Sequence, residues 1–131
     1  MGDAYLSVDK QVSTVWVMTD FDLDRFLAED RGGPVVMLNL LRFRPGGAER
    51  YDEYRRALLA SGVFVDAELL FFGAGGGVAL EGDDWDAVAL VRYPSREVFA
   101  GMVRSPEYRA IEHLRTEALE DAVLQPTHWL M

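Results

Sequence analysis

Residues Pro34 to Phe43 read Pro-Val-Val-Met-Leu-Asn-Leu-Leu-Arg-Phe, set between Gly32-Gly33 and Pro45-Gly46-Gly47. A run so rich in β-branched and leucine side chains between breakers spells a strand. Its two alternating sets are both mainly apolar, Val36, Leu38 and Leu40 on one face and Met37, Asn39, Leu41 and Phe43 on the other. Such a strand must be covered on two sides. One uncharged amide, Asn39, stands at its centre, and a buried amide loses free energy unless it finds hydrogen-bond partners. Cover on both sides and partners for the amide are the two demands that the rest of the chain has to meet.

A chain of 131 residues makes one domain, large enough for a core of its own. Half of it is hydrophobic and 27% is charged, as in soluble globular proteins. No apolar run reaches the roughly 20 residues that cross a bilayer, so no membrane partner is expected. Met1-Gly2-Asp3-Ala4-Tyr5 lacks the basic head and apolar core of a signal peptide, and the expected location is the cytoplasm. The absence of cysteine excludes disulfides, thiolate metal sites and a Cys nucleophile. A net charge of −9 repels nucleic acid. Arginine almost replaces lysine, Lys10 being the only one, which reads as the codon signature of a GC-rich bacterium.

Along the chain, Val12, Val15, Trp16, Val17 and Met18 suggest an extended segment, and Asp20 an N-cap for a short helix with Phe21, Leu23, Phe26 and Leu27. After the Pro34–Phe43 strand a helix over Ala48 to Ser61 aligns Tyr51, Tyr54, Leu58 and Ser61, with Gly62 as its stop. Val63 to Phe72 reads as strand, Val78 to Glu81 as a short return strand, and Trp85 to Tyr93 as the third main strand. Ser95 caps a helix with Val98, Phe99, Met102 and Val103. Ser105-Pro106-Glu107 starts another that runs through Tyr108, Ile111 and Leu114 toward Ala118. Asp121 to His128 is the last strand.

The order is β-α-β-β-α-β over residues 34–128, preceded by an extension over 1–33 that carries the short helix. Glu53-Tyr54-Arg55 recurs as Glu107-Tyr108-Arg109, a faint echo of the two similar halves such an order predicts. Right-handed crossovers put both helices on one side of an antiparallel sheet and leave the other side bare. A second copy stacking on the bare side would cover it. The alternative cover is the N-terminal segment with its helix.

Pro-Val-Val-Met-Leu-Asn-Leu-Leu-Arg-Phe (34–43), Trp-Asp-Ala-Val-Ala-Leu-Val-Arg-Tyr-Pro-Ser-Arg (85–96), Ser-Pro-Glu-Tyr-Arg-Ala-Ile (105–111) and Arg-Thr-Glu-Ala-Leu-Glu-Asp-Ala-Val-Leu (115–124) resemble the DUF1330 family across residues 20–128. The resemblance implies an α+β fold in which a ferredoxin-like domain dimerises into an α/β barrel. That superfamily includes cofactor-independent quinone-forming monooxygenases, haem-degrading enzymes, lactone isomerases and ligand-sensing regulatory domains. The family itself is one of unknown function. Where its members often carry a Pro and further His, this chain has Glu112-His113-Leu114-Arg115.

Four residues are candidates for a site. Asn39, on the face expected to line the dimer barrel, offers a donor and an acceptor to a ligand carbonyl or hydroxyl, or else ties the dimer together. Arg115, near the stripe of Ile111 and Ala118, suits an anionic carboxylate or enolate, or else a salt bridge. His113 points away from that stripe; it is a candidate general base, or else a surface His. Trp85 opens a strand and could floor a pocket or cap the core. Tyr54 and Tyr108 fit the core, with hydroxyls at its edge. His113 and His128 are not at metal-ligand spacing, and neither metal nor cofactor is expected. Gly73 to Gly77 lacks the Lys-Ser/Thr end of a phosphate loop.

Three functions fit these residues. One is a metal-independent enzyme, monooxygenase-like or isomerase-like, acting on a small carbonyl-bearing or aromatic metabolite. Another is a non-catalytic ligand-binding or regulatory module. The third is a dimer whose surface does the work.

Overall fold

The apolar run forms a nine-residue strand, β1 (Val35–Phe43), at the centre of the molecule. The computed structural model describes Val15 and residues 17–130. Around β1 lie α1 (Asp20–Ala28), α2 (Gly47–Ser61), β2 (Glu68–Ala74), β3 (Ala87–Tyr93), α3 (Arg96–Arg104), α4 (Pro106–Arg109), α5 (Glu112–Ala118) and β4 (Leu119–Thr127). The strands make one antiparallel sheet in the order β2-β3-β1-β4. The β-α-β-β-α-β order is present, with three short helices in the second helical position. No helix among the described residues is long and apolar enough to cross a membrane.

Local chemistry accounts for the boundaries. Thr19, rather than the expected Asp20, caps α1: its hydroxyl accepts from the Asp22 N–H while the Asp22 carboxylate accepts from the Thr19 N–H. Gly62, at φ +78°, ends α2 in the left-handed conformation. The Ser95 and Ser105 hydroxyls accept from the Val98 and Tyr108 N–H groups, as both cap assignments require. Gly47 sits so close to the last turn of α5 that a Cβ there would overlap the Ala118 carbonyl oxygen.

Several expected boundaries move. Residues 63–67 are not strand: Asp66 takes φ +60°, outside extended geometry, and β2 begins only at Glu68. No return strand forms at Val78–Glu81, where the Ala79 N–H donates to the Asp84 carboxylate instead of to a neighbouring strand. β3 starts at Ala87, two residues after the expected Trp85, with the Asp86 backbone bonded to the Gly75 and Leu41 backbones just before it. The helix from Ser105 is interrupted at Ala110–Ile111, and β4 begins two residues before Asp121. The extended segment expected over Val12–Met18 lies largely outside the described residues, although Val15 and Met18 pack on the core.

The two faces of β1 follow the pleat. Val35, Met37 and Leu41 are buried beneath the helices with Leu23, Val103 and Leu119. Phe26, Phe99 and Tyr93 stack edge-on in sequence, with centroids 5.4 and 5.0 Å apart. Arg96 ties α1 down by donating to the Phe26 carbonyl at 2.8 Å, and Arg104 does so through Asp20 and Asp24 at 3.2 and 2.7 Å. On the opposite, helix-free face, Leu38 pairs in register with Leu90 and Gln125, and Leu40 with Val88 and Val123. Phe71 of β2 stands beside Leu90 on that face, 52% exposed.

Candidate functional site

Asn39 shares the face of Met37 and Leu41, so it points under the helices and not toward the open side of the sheet. This corrects the placement expected from the sequence. The apolar members on both faces were visible there, but which set the helices would choose was not. Asn39 spends one N–H on the Met37 carbonyl at 3.3 Å, and the amide retains further donor and acceptor capacity.

Above it lies a cavity of about 180 Å³. The central strands supply its floor with Met37, Asn39, Ala89 and Val91. Tyr51, Tyr54 and Leu58 of α2, Phe99 and Met102 of α3, Tyr108 of α4 and Arg115 of α5 close it from above. Leu59, Leu69 and Phe72, all substantially exposed, mark its mouth between α2 and β2.

Arg115 is the pole of this chamber. Its residue is only 8% exposed, and its Nη2 is buried with no hydrogen-bond partner among the described residues. The Tyr51 hydroxyl lies beside the guanidinium, and Tyr54 and Tyr108 lie in its field. No ion pair to Arg115 occurs among the described residues. A buried cation without a carboxylate is costly, and the cost implies a use.

The Tyr54 and Tyr108 hydroxyls hydrogen-bond each other at 2.9 Å, fully enclosed. These are the two tyrosines of the sequence echo, one from each half of the fold. Burial pushes the Tyr54 hydroxyl well above the usual phenol range, with the neighbouring Tyr108 adding to it. Burial raises Tyr51, Tyr93 and Tyr108 as well, while Arg115 pulls all three the other way. At neutral pH the lining therefore holds four neutral phenols and two cations, Arg115 within and Arg55 at the mouth. It donates hydrogen bonds and removes no proton.

The remaining candidates lie elsewhere. His113 is exposed on α5 and does not line the cavity. Trp85 precedes β3 outside the cavity, its ring beneath the Arg42 guanidinium at 4.6 Å. His128 meets Arg96 at 3.0 Å. Among the described residues no cluster of His, Cys, Asp or Glu could hold a metal ion. Of the four candidates the structure brings Asn39 and Arg115 into one cavity and leaves His113 and Trp85 out. Sequence reasoning missed Tyr51 and Tyr93 as lining residues. The stripe through Tyr51, Tyr54 and Leu58 was the signal for the first; for Tyr93, one more apolar-facing position in a strand, there was none.

The fold recurs in solved structures. The methylated RPA0582 protein is 33% identical with a TM-score of 0.77, the match covering 87% of this chain and 93% of that one. The RPA0582 protein of unknown function from Rhodopseudomonas palustris is 35% identical with a TM-score of 0.76, covering 87% and 95%. More distant likenesses show the ferredoxin-like fold alone. A dimeric ferredoxin-like protein of unknown function from Thermobifida fusca is 18% identical, TM-score 0.56, over 76% of this chain and 93% of that one. A Caulobacter crescentus protein provisionally called an antibiotic biosynthesis monooxygenase is 11% identical, TM-score 0.57, over 82% and 99%. Among curated proteins nothing matches. The family model for DUF1330, a domain of unknown function, matches residues 41–125, and the chain belongs to that family.

Proposed function

We propose that the cavity binds a small ring compound through its oxygen and holds that oxygen as the anion, a phenolate or enolate. The observation that carries this reading is the buried, unpartnered Nη2 of Arg115 in the lining. A ligand oxyanion there would receive a charge-assisted hydrogen bond in a water-poor site, where such bonds are strong. Tyrosine hydroxyls and the Asn39 amide add neutral donors around the same oxygen. A dry cavity of about 150 Å³ accepts one benzene, so the volume here suits a single six-membered ring with small substituents.

With no base in the lining, the ligand proton goes to solvent and Arg115 balances the charge that remains. The electron-rich ring so produced is the form that oxygenation or isomerisation without metal requires. Binding and ionisation are the steps that the residues themselves support.

The test uses 4-nitrophenol, whose anion is yellow. Bound to the protein, its pKa should fall by about one unit or more, as expected beside a buried cation. Arg115→Met should abolish that fall, and Asn39→Leu should weaken binding. A bound pKa equal to or above the free value refutes the reading.

We further propose that a second copy covers the open sheet face. The partly exposed Leu38, Leu40, Val88, Leu90 and Phe71 form a continuous apolar wall there, and the Thermobifida fusca relative is dimeric. Native mass measurement should give a dimer at micromolar concentration, and Leu90→Arg, one such charge in each facing copy, should give a folded monomer. A wild-type monomer sinks the proposal.

A further inference from the structure

The charged side chains that line the cavity are Arg115 at its inner end and Arg55 at its mouth, and no carboxylate accompanies them. Two cations and no anion around one small chamber, in a chain of net charge −9, is an arrangement for a ligand with two anionic ends. Arg55 lies on α2 one turn beyond Tyr51, with its guanidinium carbon over the Phe72 ring at 4.4 Å from the centroid. Its ion pair is loose: Asp52 stands 3.7 Å away and is held more closely by Arg56 at 3.2 Å. The rest of the rim, Leu59, Leu69 and Phe72, is apolar. Arg55 is thus a half-exposed cation, held in place by an aromatic ring and only weakly neutralised. Tyr51 connects the two ends, its ring stacked near Phe72 with centroids 6.4 Å apart and its hydroxyl beside Arg115.

We propose that Arg55 is a second anchor, and that the ligand is a single-ring compound bearing a carboxylate at the mouth opposite the hydroxyl or enol oxygen held by Arg115. The inference rests on the reading of the cavity given above and names its ligand class. The ring would lie between Asn39 below and the tyrosines above. The carboxylate would replace Asp52 as the partner of Arg55.

The pair of probes is 4-hydroxybenzoate and 4-chlorophenol, whose hydroxyls ionise alike and which differ in charge at the mouth end, titrated calorimetrically into the whole protein. The wild type should prefer 4-hydroxybenzoate by about fivefold or more, the range of a partly screened charged hydrogen bond. Arg55→Gln should erase that preference and leave 4-chlorophenol binding within about twofold of wild type, on the same basis. Arg115→Met should weaken both probes. If 4-chlorophenol binds and 4-hydroxybenzoate shows no advantage, or Arg55→Gln keeps the advantage, the mouth anchor is wrong and the cavity reading stands. If neither probe binds, both fall.

Discussion

Replacing Arg115 by Met should make the protein more stable and less able to bind, and the two effects can be separated in one assay. Arg115 is 8% exposed, carries an unpartnered Nη2 and has no ion pair among the described residues. An orphaned buried donor costs about 1–3 kcal/mol, which the thioether of Met would not incur. Against this stands the loss of the contact with the Tyr51 hydroxyl, worth about 1 kcal/mol. The net gain is about 1 kcal/mol, a rise in melting temperature of about 4 °C for a chain of this size. A ligand at a hundred times its Kd stabilises the wild type by about 2.7 kcal/mol. Scanning calorimetry should therefore show a crossing. Without ligand the variant melts higher; with saturating 4-nitrophenol the wild type does. A fall of about 5 °C or more in the ligand-free variant would mean that Arg115 holds the fold together, and would refute the claim that its burial serves a ligand.

Two further predictions test the packing around the cavity. Burial keeps Tyr51, Tyr54, Tyr93 and Tyr108 protonated beyond the usual phenol range, so the unfolded chain loses these protons first as pH rises through about 10. Above that pH the unfolded state binds fewer protons than the folded one, and stability, complete below it, should fall steadily. Phenolate absorbance should then appear for those four tyrosines together with unfolding and not before it. Gly47→Ala should cost about 2 kcal/mol in urea unfolding, because the new methyl meets the Ala118 carbonyl. Gly76→Ala, with open space around it, should stay within about 0.5 kcal/mol.

The fold was legible because it rests on periodicity and on breakers. The apolar run of β1, the Ser95 and Ser105 caps and the Gly62 stop are local signals, and each marks its element correctly. Asp66, which delays β2 by taking a positive φ, carries no such signal, nor does the Asp84 side chain that holds residues 78–81 out of the sheet. The site was half legible. Arg115 could be placed because helical spacing set it near an inward stripe, and His113 could be turned outward for the same reason. Asn39 was identified but assigned to the wrong side, since two apolar faces look alike until helices pack on one. The meeting of Tyr54 with Tyr108 depends on the docking of α2 against α4, a tertiary event that spacing within either helix does not encode.

The central pair of strands runs in unbroken register from Val35 opposite Tyr93 to Leu41 opposite Ala87. The irregularities fall on the flanking strands, between Arg42 and Phe43 where β1 meets β4 and between Leu69 and Phe71 where β2 meets β3. Because neighbouring residues of β1 serve opposite faces, one inserted residue there would exchange Asn39 for a leucine inside and turn the amide outward in the same step. The chamber and the open face therefore cannot evolve separately along β1. A change of length is accommodated more easily at the sheet edges, and the mouth of the chamber lies beside one of them, β2.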